Sequence, residues 1–171
     1  MIIDNIFEKH NGYATIGINI ETLNYELLDG RIIKLKIIDT AGQERFRSMN
    51  ERIYSQVDSC ILMYDITNKN SFEECRNFNE KIKSMCKKDV KLLLLGNKSD
   101  RENDRQVNKQ EGLKFAKLNG YIFYEISCKE NINVLPAFNK IIEITEKDLE
   151  IYDKKIVLNK MKIKKKKKNC C

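Results

Sequence analysis

Ile38-Asp39-Thr40-Ala41-Gly42-Gln43-Glu44-Arg45-Phe46 follows directly on the apolar-rich run Ile32-Ile33-Lys34-Leu35-Lys36-Ile37, and this junction decides how the chain is read. The run has strand character, so the Asp39 carboxylate falls at a strand's carboxyl end, where open α/β sheets take their ligands. In phosphoryl transfer an Asp serves the Mg²⁺ ion and a Gln orients the attacking water. Asp39 and Gln43 are placed for those two roles, and Gly42 between them can move without a side-chain clash. Taken alone, the stretch is short enough to be an ordinary strand-to-loop junction.

Two distant partners give it context. Asn97-Lys98-Ser99-Asp100 follows the apolar run Val90-Lys91-Leu92-Leu93-Leu94-Leu95-Gly96, and Ser127-Cys128-Lys129 follows Tyr121-Ile122-Phe123-Tyr124-Glu125-Ile126. Asn, Ser and Asp also favour plain polar turns. A guanine ring, however, needs a carboxylate for its N1 and N2 hydrogens, an amide for N7, an aliphatic stem over its face and a backbone N–H for O6. Asp100, Asn97, Lys98 and the Ser127 to Lys129 turn can supply these. Three motifs in one order, each ending a strand, make coincidence improbable.

On these residues the chain resembles the Rab family of small GTPases, along essentially residues 1 to 171. Thr15-Ile16-Gly17-Ile18-Asn19-Ile20 is similar to the family's switch I, Lys34 to Met49 to its strand plus switch II, and Leu62-Met63-Tyr64-Asp65-Ile66-Thr67 to the strand that follows. The resemblance implies a P-loop-GTPase-like α/β fold, a doubly wound and mostly parallel sheet with one antiparallel strand. It implies a GTP-binding and GTP-hydrolysing switch in vesicle trafficking, with GTP or GDP and Mg²⁺ as cofactors. Thr15 would contact Mg²⁺ with its hydroxyl, as Asp39 does through water, and Gln43 would assist hydrolysis. Gly42, Asn97, Lys98, Asp100, Ser127, Cys128 and Lys129 would join Asp39 in binding nucleotide. Effectors, exchange factors, GTPase-activating proteins and the prenylation machinery would be its partners.

The chain also departs from that pattern. The strand and GxxxxGK[ST] loop that cradle phosphates are not among these residues: of the seven glycines, at 12, 17, 30, 42, 96, 112 and 120, no two are spaced as G-x-x-x-x-G with a following Lys. Met1 to Phe7 matches the interior of the helix beyond that loop. The sheet is therefore expected to miss its central first strand, and hydrolysis by the 171 residues is left open. The expectation is an N-terminally truncated Rab-type GTPase; the alternative is a naturally shortened, nucleotide-independent and membrane-anchored interaction protein. The family's aromatic effector triad appears here as Ile20, Ile38 and Ile53, and Cys128 replaces the usual Ala of the Ser-Ala-Lys turn.

Composition suits one α/β domain, 42% hydrophobic and 33% charged. Met1 to His10 carries Asp4 and Glu8 in place of a basic leader start. The six cysteines have no framework spacing and read as reduced. Residues 154–171 hold nine lysines and no acid, so subtracting them from the net +7 leaves about −2 for residues 1–153. The expected organisation is a domain at 1–153 and a flexible polybasic tail at 154–171. A basic tail can bind nucleic acid, but this one ends in Cys170-Cys171, and thiols behind a polybasic run are the two signals that stable membrane anchoring needs. By resemblance both cysteines carry geranylgeranyl groups, which implies the cytoplasmic face of an intracellular membrane, cycling with cytosol, and no nucleic-acid partner.

The coarse pattern predicts strands at 16–28, 31–38, 59–66, 90–96 and 121–126. Helices are predicted at 2–8, near 44–56, and at 71–87, 108–119 and 132–158, with an Asp29-Gly30 hairpin turn and Pro136 in the first turn of the last helix.

Overall fold

The computed structural model describes residues 18–27, 29–40 and 54–147. The helices expected at 2–8 and over most of 44–56 lie outside these residues. The chain divides into two units, and the strands fall into two sheets, one of two strands and one of three.

The first unit holds an antiparallel hairpin of β1 (Ile18–Glu26) and β2 (Ile32–Thr40), in register from Ile18 opposite Thr40 to Glu26 opposite Ile32. Side chains alternate across a pleated ribbon. Glu21, Leu23 and Tyr25 share a half-buried face with Ile37, Leu35 and Ile33, while Thr22 and Asn24 share the exposed face with Lys36 and Lys34. Two expectations are corrected here. The ladder closes through Leu27 N–H on Arg31 O (2.8 Å), so the loop is one residue longer than a two-residue Asp29-Gly30 turn, with Gly30 at φ 81°. That left-handed residue before the closing strand is the device of longer hairpin loops, and it suits glycine. Secondly, β2 runs on through Thr40, which puts Asp39 inside the strand, opposite Asn19. Ile20 and Ile38 are direct cross-strand partners, with Ile20 exposed; Ile53 lies outside the described residues.

The second unit is built on three parallel strands in the order β3 (Ser59–Asp65), β4 (Lys91–Asn97) and β5 (Ile122–Glu125). Helix α1 (Lys69–Met85) and helix α2 (Lys109–Asn119) make the crossovers, and a last helix, α3, covers 134–147. The fold is the mixed α/β arrangement expected of a Ras-like domain. Leu93, Leu94, Leu95 and Gly96 are all buried, as a central parallel strand covered on both faces requires. Against one face packs a run of rings. Tyr64 meets Phe72 of α1 at 4.8 Å between centroids, Phe72 meets Phe115 of α2 at 5.7 Å, and Phe115 meets Tyr121 at 6.0 Å. The buried Asn79 among them is satisfied by the Tyr121 hydroxyl (2.6 Å) and by Asn119 (3.1 Å).

Local chemistry sets the helix ends. The Asn68 side chain accepts from the N–H groups of Asn70 and Ser71, which starts α1 two residues before its expected position. Asn108 accepts from Gln110 N at α2, and Gly120 at φ 73° ends that helix. Pro136 lies in the first turn of α3.

At Gly112 α2 lies close against the sheet. A Cβ there would strike the Tyr64 hydroxyl and come within 2.9 Å of the Phe123 ring. Gly to Ala inside a helix ordinarily gains about 1 kcal/mol. At this contact overpacking costs about 1 to 3 kcal/mol and should win. Gly112→Ala is expected to lower the midpoint of thermal unfolding, and a raised midpoint would refute the packing argument.

Candidate nucleotide site

Parallel register brings three strand ends to one rim: Asp65 lies opposite Asn97, and Gly96 opposite Glu125. Main-chain bonds carry the ladder beyond the strands, from Ile126 N to Gly96 O (2.8 Å), Ser99 N to Ile126 O (3.0 Å) and Ile66 N to Asn97 O (3.0 Å). The two loops expected to hold guanine therefore leave the sheet side by side.

Side chains then clasp them together. Asn97 Oδ1 accepts from Lys98 N (2.8 Å) and from Cys128 N (3.2 Å). Two N–H donors on that atom mark it as the oxygen, which leaves the NH₂ of Asn97 facing outward. The Ser127 hydroxyl donates to Asp100 Oδ1 at 2.5 Å and accepts from Glu130 N at 3.0 Å, while Ser127 and Ile132 exchange main-chain bonds at 3.0 Å. The Ser127 bond holds the exposed Asp100 carboxyl below its usual range. A carboxylate, an amide and main-chain N–H groups, the groups that the edge of guanine calls for, thus stand together in Asp100, Asn97 and the Ser127 to Lys129 turn. Cys128, also expected at the nucleotide, gives its N–H to Asn97 Oδ1 in this structure.

Lys98 takes a left-handed conformation, φ 67°, and its Nζ pairs with Asp65 Oδ2 at 2.6 Å. Asp65 Oδ1 accepts from both the N–H (2.8 Å) and the hydroxyl (2.7 Å) of Thr67. Asp65 and Thr67 were not among the expected site residues. A carboxylate ending a strand two residues before a Thr is a side-chain turn signal, so it was available in Tyr64-Asp65-Ile66-Thr67. Behind the rim, Arg105 forks onto Glu125 at 2.7 and 3.0 Å and also holds Glu102, with the Glu125 side chain only 8% exposed. No sequence motif announced this brace. Of the remaining expected residues, Asp39 lies in β2, while Thr15, Gly42, Gln43, Cys170 and Cys171 lie outside the described residues.

A family model described as the Ras family matches residues 2–147. The chain is 35% identical over 151 residues to Ras-related protein Rab-18 of Caenorhabditis briggsae, covering 88% of this chain and 74% of that protein. It is 40% identical over 131 residues to Rab-12 of Homo sapiens (76% and 53%) and 46% identical over 125 residues to Rab-8A of Bos taurus (73% and 60%). The chain belongs to the Rab family of small GTPases. Proteins of this family bind guanine nucleotides with Mg²⁺ and work with effectors, exchange factors, activating proteins and membranes. Among the described residues no helix is long and apolar enough to cross a membrane.

Burial alone would push the Asp65 carboxyl up, but the bonds from Lys98 and Thr67 outweigh it and hold the group below its usual range. A carboxyl lower in the folded than in the unfolded chain adds stability that is fully present above its unfolded pKa, about 3.9, and is lost as pH falls. The difference in urea midpoint between wild type and Asp65→Asn is therefore expected to shrink from pH 5 towards pH 3. A difference constant over that window would show that Asp65 is not held this way.

Proposed function

We propose that this chain works as a guanine-nucleotide switch in vesicle traffic, with the Asn97 to Asp100 and Ser127 to Lys129 loops as its base site. The observation that carries this is the clasp, Cys128 N on Asn97 Oδ1 and Ser127 Oγ on Asp100 Oδ1, which joins both loops and brings the carboxylate and the amide together. Mg²⁺ would neutralise phosphate charge there, with Thr15 and Asp39 as the residues that would hold it, Gln43 as the one that would orient the attacking water, and Gly42 beside them at the nucleotide. Nucleosides isolate the base site. Each hydrogen bond to a charged group contributes about 1.5 to 3 kcal/mol, so guanosine should bind the 171-residue chain at least tenfold more tightly than inosine, which lacks the 2-amino group. In Asp100→Ala that preference should vanish. Equal binding of the two nucleosides by wild type would remove the base-site reading. Because these 171 residues spell no phosphate loop, GTP should gain little over guanosine in the same assay, and nanomolar GTP affinity would overturn that part.

The tail completes the proposal. Geranylgeranyl groups on Cys170 and Cys171 hold the protein on the cytoplasmic face of an intracellular membrane, from which it cycles with the cytosol. Each of Lys164 to Lys168 adds on the order of 1 kcal/mol at an anionic surface. Cys170→Ser with Cys171→Ser is expected to release the protein to cytosol, whereas charge reversal of the five lysines should redistribute it among membranes. Imaging of tagged variants checks both, and an unmoved double-serine variant would end the anchor reading. Effectors, exchange factors, activating proteins and the prenylation machinery are its partners. By resemblance Ile20, Ile38 and Ile53 stand where the family carries its aromatic effector triad.

A further inference from the structure

Lys98 leaves the end of β4, yet its ammonium is bound at the end of β3, 2.6 Å from Asp65 Oδ2. Its aliphatic stem therefore lies across two adjacent strand ends, which are direct neighbours in the ladder. Asp65 is itself fixed. Thr67 saturates Oδ1 through its N–H and hydroxyl, and the Ser71 hydroxyl accepts from Asp65 N at 3.0 Å. Oδ2 is the carboxylate oxygen left over, and Lys98 occupies it.

We propose that Asp65, steadied by Thr67, is a positioning residue for the nucleotide base: it holds the Lys98 stem as a shelf against the ring face before ligand arrives. The inference rests on the reading of Asn97 to Asp100 as the base site. A lysine stem has four rotors, and ordering such a chain on binding costs on the order of three- to twelvefold in affinity. The ion pair removes that cost from the binding step. A shelf touches a face that guanine and inosine rings share, whereas Asp100 reads the edge. Losing the shelf should therefore weaken all purines together and leave the choice between them unchanged.

The test is a two-by-two set of Asp65→Asn, Lys98→Met and the double variant, titrated with guanosine and with inosine by NMR. Asp65→Asn is expected to weaken both nucleosides about three- to twelvefold with their ratio unchanged, and to cause no further loss once Lys98 is Met. Thr67→Val keeps the carboxylate and removes one of its bonds, so a smaller loss of the same kind is expected; it serves if Asp65→Asn does not fold. Undiminished binding in both Asp65→Asn and Thr67→Val would overturn the inference, as would a loss that persists in the Lys98→Met background, the mark of a structural role. No guanosine response in wild type would overturn the base site and the shelf together, a result distinct from normal binding in the variants.

Discussion

Everything at the rim depends on β3, β4 and β5 running in one direction. A parallel ladder delivers every carboxyl end to the same edge, and each crossover must return along the sheet by a helix. Asp65, Asn97 and Ser127 are 62 positions apart at the extremes of the chain segment, yet the register Asp65 to Asn97 and Gly96 to Glu125 makes them neighbours. Reversing any one strand would send its loop to the opposite edge. The side-chain clasp is thus a refinement of a placement already made by main-chain bonds.

The refinements differ in energetic character. Arg105 and Glu125 form a forked pair in which both side chains are largely buried, at 15% and 8% exposure. Such a pair contributes modestly over an apolar substitute, but removing one partner costs about 3 to 5 kcal/mol because a charge is left stranded. Lys98 and Asp65 are more open, at 46% and 21%, and an exposed pair is worth about 0 to 1 kcal/mol. The first pair fixes the loop after Asp100 to β5 and protects the fold. The second adds little stability and includes a left-handed residue, Lys98, a conformation that costs about 1 to 2 kcal/mol.

Most of the rim was legible in the sequence. Leu92 to Leu95 reads as a covered strand because four successive leucines suit a strand buried on both sides, and Asn97, Asp100 and Ser127 then fall at strand ends by counting. Strand bounds missed by one or two residues where side chains decide them: Asn68 caps α1 early, and the loop before Arg31 takes an extra residue that no period-two pattern encodes. Arg105, and the ion pair of Asp65 as distinct from its readable turn with Thr67, escaped for a different reason. Their partners, Glu125 and Lys98, are 20 and 33 positions away, and a tertiary ion pair has no local periodicity to betray it.

The close approach of α2 to the sheet shows the same division between pattern and packing. Tyr64 is 2% exposed, and its hydroxyl is buried with no hydrogen-bond partner among the described residues. An unsatisfied buried hydroxyl costs about 1 to 3 kcal/mol. Burying an aromatic side chain returns about 1.5 to 3 kcal/mol, with about 0.5 to 1.5 kcal/mol more from a tilted ring pair such as Tyr64 with Phe72. The ring wins, but only if room exists. Gly96 in β4 and Gly112 in α2 both supply that room, since a Cβ on Gly96 would lie 2.9 Å from the hydroxyl and one on Gly112 would overlap it. Gly96 is also the residue whose carbonyl receives Ile126 N and carries the ladder on to the second loop. Accommodation of one tyrosine in the core and alignment of the two rim loops are therefore achieved at the same residue.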